Sequence, residues 1–348
     1  MTNYINHNNY KISYSKWNIE HKSKYTLLFV HASGFHGMIW KQIIQKLPDF
    51  NCVSIDLSGH GLSDNPDHDY QWNKFAFELE TLIVDLNLNN IFGIGHSLGG
   101  YAITHATNNL SDKFEGLILF DPSIFIKNKY DENRNRKKNF IHPISRRRNL
   151  WNSSDEMYQN FSTRLPFKLW DKSVLKDYCE FGLVNDEYNN NFKLSCPPWA
   201  EARMMSGSSE YGIFEIINKF SQKVLVLRAG GKNSNNNKDI FSTSVTDPKL
   251  SKMFLNGKDL IINDVTHFIP QENPEECAKI INDFIKALEF SIDADTKNYE
   301  NSVITSKLPL RFTYFNLSIF YLTLLIFNKF FIIISNYINV HIFFIHCI

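Results

Sequence analysis

The sequence predicts an α/β fold: a mostly parallel central sheet with helices on both faces, and a helical cap inserted after the strand that ends at Phe120. Three observations carry this. Short apolar runs alternate with stretches of helical periodicity from residue 25 to residue 120, the rhythm of strands joined by crossover helices. That rhythm breaks at Pro122 and resumes at Lys223, as an insertion would make it do. Between one apolar run and the next helical stretch stands a Gly-flanked serine, the turn by which a sheet presents a side chain at its C-terminal edge.

The first apolar run, Tyr25-Thr-Leu-Leu-Phe-Val30, is short and continuous, as in a strand covered on both faces. After the turn His31 to Gly37, the spacing of Ile39, Trp40, Ile43, Ile44 and Leu47 predicts a helix from Met38 to Leu47, ended by Pro48. A second strand, Asn51 to Asp56, leads into the Gly-rich turn Leu57 to Ser63. Phe75, Leu79, Leu82 and Leu86 share one face of a helix over 72–86. Asn90 to Gly95 reads as a strand, Leu98 to Asn108 as a helix, and Phe114 to Phe120 as a fourth strand. From Pro122 to about Phe220 there are helical patches and no convincing buried strand. Lys223 to Arg228 and Asp259 to Ile262 restore the strand pattern, and an amphipathic helix follows from Pro274 to about Phe290.

Bulk properties narrow the function classes. Of 348 residues, 43% are hydrophobic and 21% charged, so a large core is available. The formal net charge of +1 argues against a nucleic-acid partner. Five scattered cysteines show neither metal-ligand nor redox spacing, which fits a reducing, cytoplasm-like compartment. The polar start of the chain lacks the apolar segment of a signal peptide.

Gly95-His-Ser-Leu-Gly99 places Ser97 as a candidate nucleophile. A sharp strand-to-helix turn strains the serine backbone, and the flanking glycines leave room for neighbouring main chain. Nucleophile attack on a carbonyl creates an oxyanion. Two backbone N–H groups are expected to receive it: that of Leu98, at the helix start, and that of Ser33, in the loop His31-Ala-Ser-Gly-Phe35. His267, after the last strand and before the last helix, is placed to be the general base, whereas His31, His36, His60 and His96 flank turns and read as structural. For the acid, Asp121 stands at the C-terminal end of a strand, where carboxylates reach the crevice. The commoner position, after the following strand, offers no acid before Asp239. Asp121 is favoured and Asp239 is kept as the alternative.

These motifs, His31-Ala-Ser-Gly-Phe-His36, Asp56-Leu-Ser-Gly-His-Gly-Leu-Ser63, Gly95-His-Ser-Leu-Gly-Gly100 and Thr266-His-Phe268, resemble those of the α/β-hydrolase family, and the resemblance runs from about Lys24 to Phe290. It implies the α/β-hydrolase fold, with residues 1–290 as the hydrolase domain and residues of about 123–220 as its cap. The chain is most similar to capped, esterase-like and epoxide-hydrolase-like members. Ser97 replaces the aspartate that epoxide hydrolases and haloalkane dehalogenases carry in the elbow. Ala32 stands for the usual glycine, and Ser58 where an arginine is common. The implied chemistry is cleavage of a carboxylic ester or related acyl bond of a small, partly apolar substrate through an acyl-enzyme, with neither metal nor organic cofactor required. The alternatives are a small-molecule receptor on the same fold, a catalytically dead scaffold, and a carbon–carbon bond hydrolase.

In the cap, Trp151, Tyr158, Phe161, Phe167, Trp170, Tyr178 and Phe181 are expected to divide between a pocket roof and the cap's own core. Arg146-Arg-Arg148 reads as a solvated helix face, with anion binding as the rival. The 291–348 tail is rich in Asn, Ile and Phe. Its run from Tyr314 to Ile334 is long enough to span a bilayer, so the tail reads either as a membrane anchor or as a non-native extension of a cytoplasmic enzyme.

Overall fold

A computed structural model describes residues 2–18, 23–66, 70–134, 141–186, 190–206, 212–232 and 241–305. Residues 1–283 form one compact unit and residues 284–348 another. Eight strands build the main sheet of the first: β1 (Thr2–His7), β2 (Tyr10–Trp17), β3 (Thr26–Val30), β4 (Asn51–Ile55), β5 (Ile91–His96), β6 (Phe114–Phe120), and two later strands, Lys223–Ala229 and Asn256–Ile262. A smaller sheet holds β7 (Leu150–Trp151), β8 (Leu183–Asp186) and β9 (Asn191–Leu194), which makes the later two β10 and β11. The main order is β1-β2-β4-β3-β5-β6-β10-β11. From β4 to β11 every pairing is parallel; β1 and β2 are antiparallel to their neighbours.

The central strands are buried on both faces because their apolar runs do not alternate: every residue of β5 is buried. On one face Leu28, Val30, Val53 and Ile55 pack with Phe75, Leu79 and Leu82 of the helix Trp72–Asp85 and with Ala102 and Ile103 of the helix Leu98–Asn109. Each of these buried Val, Leu, Ile and Phe side chains contributes about 1.5–3 kcal/mol relative to exposure.

Four local readings change. The hairpin β1–β2 was not foreseen; Ile5, Ile12 and Tyr14 are its inward residues, and Asn8 takes φ 52° in its turn. Over residues 38–47 the chain forms a 3-10 turn, Gly37–Trp40, and a short α-helix, Lys41–Ile44. β11 begins three residues before Asp259 and is largely exposed along its length, as an edge strand is. The last helix runs from Pro274 to Thr305, past Phe290. The residues of about 123–220, expected to form a cap, contain helices, among them Ser154–Ser162, Lys172–Phe181 and Pro198–Ser206, and also the small β7-β9-β8 sheet. Its strands have two to four residues and are only partly buried, which hid them from a search for apolar runs. The tail run Tyr314 to Ile334 lies outside the described residues; among those described, no helix is long and apolar enough to cross a membrane.

Candidate active site

Ser97 stands between β5 and the helix Leu98–Asn109 with φ 53° and ψ −116°, a conformation rare for a residue with a Cβ. Its backbone N–H donates to the carbonyl of Phe120 on the adjacent strand at 3.1 Å, which pins the turn. The glycines around it are explained by close approach. A Cβ on Gly99 would lie 2.2 Å from the Val30 carbonyl oxygen, and one on Gly95 would lie 2.6 Å from that of Gly99.

His267 and Asp121 meet this serine in a row. Ser97 Oγ lies 3.0 Å from His267 Nε2, and His267 Nδ1 lies 2.6 Å from Asp121 Oδ2. All three residues are buried. Asp121 follows β6 with φ 41°, so its side chain turns back over the strand ends. Four further donors surround its carboxylate. The N–H of Ala229 and the hydroxyls of Ser244 and Thr246 donate to Oδ1, and the N–H of Val245 donates to Oδ2. Burial pushes the Asp121 carboxyl upward, but the His267 hydrogen bond and charge, with Ser244 and Val245, more than offset it and leave it below the ordinary carboxylate range. Asp239, the alternative acid, lies outside the described residues.

The turn histidines are structural, as expected. His96 donates from Nε2 to the His267 carbonyl at 3.0 Å and so holds the loop that carries His267. His60 Nε2 accepts from the Gly34 N–H at 3.0 Å, and His31 Nε2 accepts from the Leu57 N–H at 3.0 Å. These two accepting rings must be neutral. Burial provides for that, lowering His31 to about 4 and His60 well below its usual value, while His96 falls to about 3.

Ser33 and Leu98 both line the cavity in front of Ser97. Leu98 opens a helix, where the first N–H groups lack partners within the helix. Sequence reasoning missed Ser123. Its Oγ is 2.9 Å from Ser97 Oγ, and its N–H donates to the Ser97 carbonyl at 2.9 Å. Ser244 and Thr246 were missed too. A Ser or Thr in a polar loop carries no pattern that announces a carboxylate neighbour.

The cavity has a volume of about 1000 Å³. Trp151, Phe161, Phe167 and Tyr178 of the cap line it, whereas Trp170 is buried against Phe35 and Phe268. The solvated-helix reading of Arg146 to Arg148 is corrected. Arg146 ends a 3-10 turn and is exposed, and Arg147 and Arg148 line the cavity.

A model of the alpha/beta hydrolase family matches residues 27–280. The 2-(acetamidomethylene)succinate hydrolase of Mesorhizobium japonicum is 28% identical over 102 residues, which is 29% of this chain and 37% of that protein. The chain thus matches little more than a third of that relative's length. Among solved structures, E-2-(acetamidomethylene)succinate hydrolase aligns with TM-score 0.64 at 18% identity, covering 82% of this chain and 99% of the other. A thermophilic esterase from Thermogutta terrifontis aligns with TM-score 0.58 at 19% identity, covering 82% and 98%. At these identities the structural likeness is one of fold.

Proposed function

The chain belongs to the alpha/beta hydrolase family, and from that premise we propose that it is a serine hydrolase cleaving a carboxylic ester or related acyl bond. The observation that carries the reading is the continuous row from Ser97 Oγ through His267 to Asp121, at 3.0 and 2.6 Å. His267 Nε2 takes the proton of Ser97 as Oγ attacks the acyl carbonyl. Asp121 accepts from Nδ1–H, fixes the ring's tautomer and stabilises the imidazolium. The N–H groups of Ser33 and Leu98 receive the oxyanion. His267 then gives its proton to the leaving group, and water repeats the sequence to release the acid and free Ser97. With the Ser97 proton directed at His267, the Ser123 hydroxyl donates to Ser97 Oγ. On this reading residues 1–290 carry the hydrolase domain, with 123–220 as the cap over its cavity.

The test is labelling by a fluorophosphonate probe of the wild type and of Ser97→Ala, with p-nitrophenyl acetate and butyrate turnover alongside. Labelling and turnover that both disappear in Ser97→Ala support the reading. A well-folded wild type that neither labels nor turns over ester refutes it.

A further inference from the structure

The cavity wall is unevenly charged. Among the described residues four cationic side chains, Lys129, Arg147, Arg148 and Arg164, line it against one carboxylate, Glu201. The whole chain carries a formal charge of only +1, so this clustering is local. Arg148 is engaged elsewhere: it donates to Glu156 at 2.5 Å and lies 4.0 Å over the Trp151 ring.

Arg147 differs. Its Nη1 donates to Glu201 at 2.6 Å and its Nη2 to the Tyr178 hydroxyl at 3.3 Å. Glu201 in turn sits against Gly34, where a Cβ would lie 2.3 Å from Oε1. The guanidinium is therefore one carboxylate away from the loop that holds Ser33. A guanidinium carries five N–H donors. Glu201 and Tyr178 take two, and the side chain is still 23% exposed on the wall it shares with the cavity. Arg164, on the same wall, is exposed and has no ionic partner among the described residues.

A fork held by two neighbours is pre-organised and loses little freedom on taking another acceptor. Around it the wall is aromatic, from Phe161, Phe167 and Tyr178, so a charge-assisted hydrogen bond there is less screened than in water. A wholly neutral substrate would cover these donors and leave them unmet. We infer that the cavity takes an acyl substrate bearing a carboxylate remote from the scissile carbonyl, with Arg147 as the fork that binds it and Arg164 as a second cation. This rests on the reading of Ser97 as nucleophile. Glu201 on the same wall repels each added negative charge, which favours a carboxylate monoanion over a phosphate dianion.

The experiment compares mono-p-nitrophenyl adipate, which ends in a carboxylate, with p-nitrophenyl hexanoate, its neutral counterpart of equal acyl length. The expected wild-type ratio of kcat/KM, anionic over neutral, exceeds 10, and it falls at least tenfold in Arg147→Gln and by a smaller factor in Arg164→Gln. Because Arg147→Gln leaves Glu201 uncompensated and can unfold the protein, Arg164→Gln keeps the test standing. Hydrolysis of hexanoate with no preference for the anion overturns the inference and leaves the serine-hydrolase reading intact. If neither ester is turned over, calorimetry on Ser97→Ala decides. Tighter binding of monomethyl adipate than of dimethyl adipate, reduced in Arg164→Gln, supports the subsite without the chemistry; equal binding overturns it.

Discussion

Replacing Asp121 by Asn is the sharpest probe of the site, because the carboxylate's two oxygens have different neighbours. Oδ2 accepts from His267 Nδ1 and the Val245 N–H, whereas Oδ1 accepts from the Ser244 and Thr246 hydroxyls and, at 3.3 Å, the Ala229 N–H. Hydroxyls can turn to accept from an amide NH₂; a backbone N–H cannot. With its oxygen toward His267 the asparagine sets its NH₂ against the two hydroxyls and the Ala229 N–H, preserves the tautomer and removes only the charge. An imidazolium and a carboxylate with charge centres about 4 Å apart attract by about 4 kcal/mol at an effective dielectric of 20. That corresponds to about 10³-fold in kcat, at 1.36 kcal/mol per decade. Had the amide turned the other way, the wrong tautomer would add to the loss and bring it toward the ~10⁴ seen for a corresponding triad substitution. The assay is p-nitrophenyl butyrate kcat and the fluorophosphonate labelling rate for Asp121→Asn and Asp239→Asn, with circular dichroism to confirm folding. Activity within about tenfold of wild type in Asp121→Asn, with collapse in Asp239→Asn, would refute the assignment.

The other predictions test the elbow, its second serine and the buried histidines. Gly99→Ala forces a Cβ against the Val30 and His31 carbonyl oxygens, at 2.2 and 2.6 Å. Overpacking of this kind costs about 1–3 kcal/mol, so Tm should fall by about 2–5 °C in a unit of this size, and a wild-type Tm would count against the elbow geometry. Ser123→Ala removes the hydroxyl 2.9 Å from Ser97 Oγ. A hydrogen bond worth about 1 kcal/mol predicts a labelling rate about fivefold slower, and an unchanged rate would show that the contact does not prepare Ser97. Acid should destabilise the fold. His7, His31, His36, His60, His96 and His105 are all lowered from 6.5 by burial, so the folded state resists protons that the unfolded chain binds. Their contribution is complete above pH 6.5 and is lost as pH falls toward about 4 for His31 and about 3 for His96. Glu78, Glu80 and Glu201, raised by burial, run the other way above pH 4.5, but they are fewer. The urea midpoint should be lower at pH 5.5 than at 7.5; the reverse order would mean that the carboxyls dominate.

Most of the sheet was legible because its central strands are covered on both faces, and a strand so covered must be a continuous apolar run. β5 and β6 illustrate this. The hairpin β1–β2 escaped because its apolar residues alternate with polar ones: Ile12 and Tyr14 stand between Lys11, which is exposed, and Ser13, which is buried on Asp56, and that weak period is easily read as a polar leader. β11 was half-seen for a related reason. It is an edge strand, and Asn256, Gly257 and Lys258 pair with β10 without needing apolar side chains.

Within the site, legibility followed how local each constraint is. Ser97 was plain because its φ of 53° and the close approach of Val30 to Gly99 are demands of neighbouring backbone, and only glycine meets the latter. Sequence left the acid between Asp121 and Asp239, since what surrounds Asp121 comes from far along the chain: donors from Ala229, at the end of β10, and from residues 244–246. The arginines were misread because three consecutive cations suggest a solvated helix. The segment in fact leaves its 3-10 turn at Arg147 with φ −65° and ψ 151°, an extended conformation. In extended chain, side chains alternate sides. Arg147 is accordingly half-buried between the exposed Arg146 and Arg148, and it alone of the three reaches Glu201 and Tyr178. On the proposed reading, the side chain that tells an anionic from a neutral substrate stands in the part of the chain with the least periodic sequence. An irregular segment can set one residue against Glu201 and Tyr178 without imposing a repeat on its neighbours, which is why anion binding stood only as the rival reading of this segment.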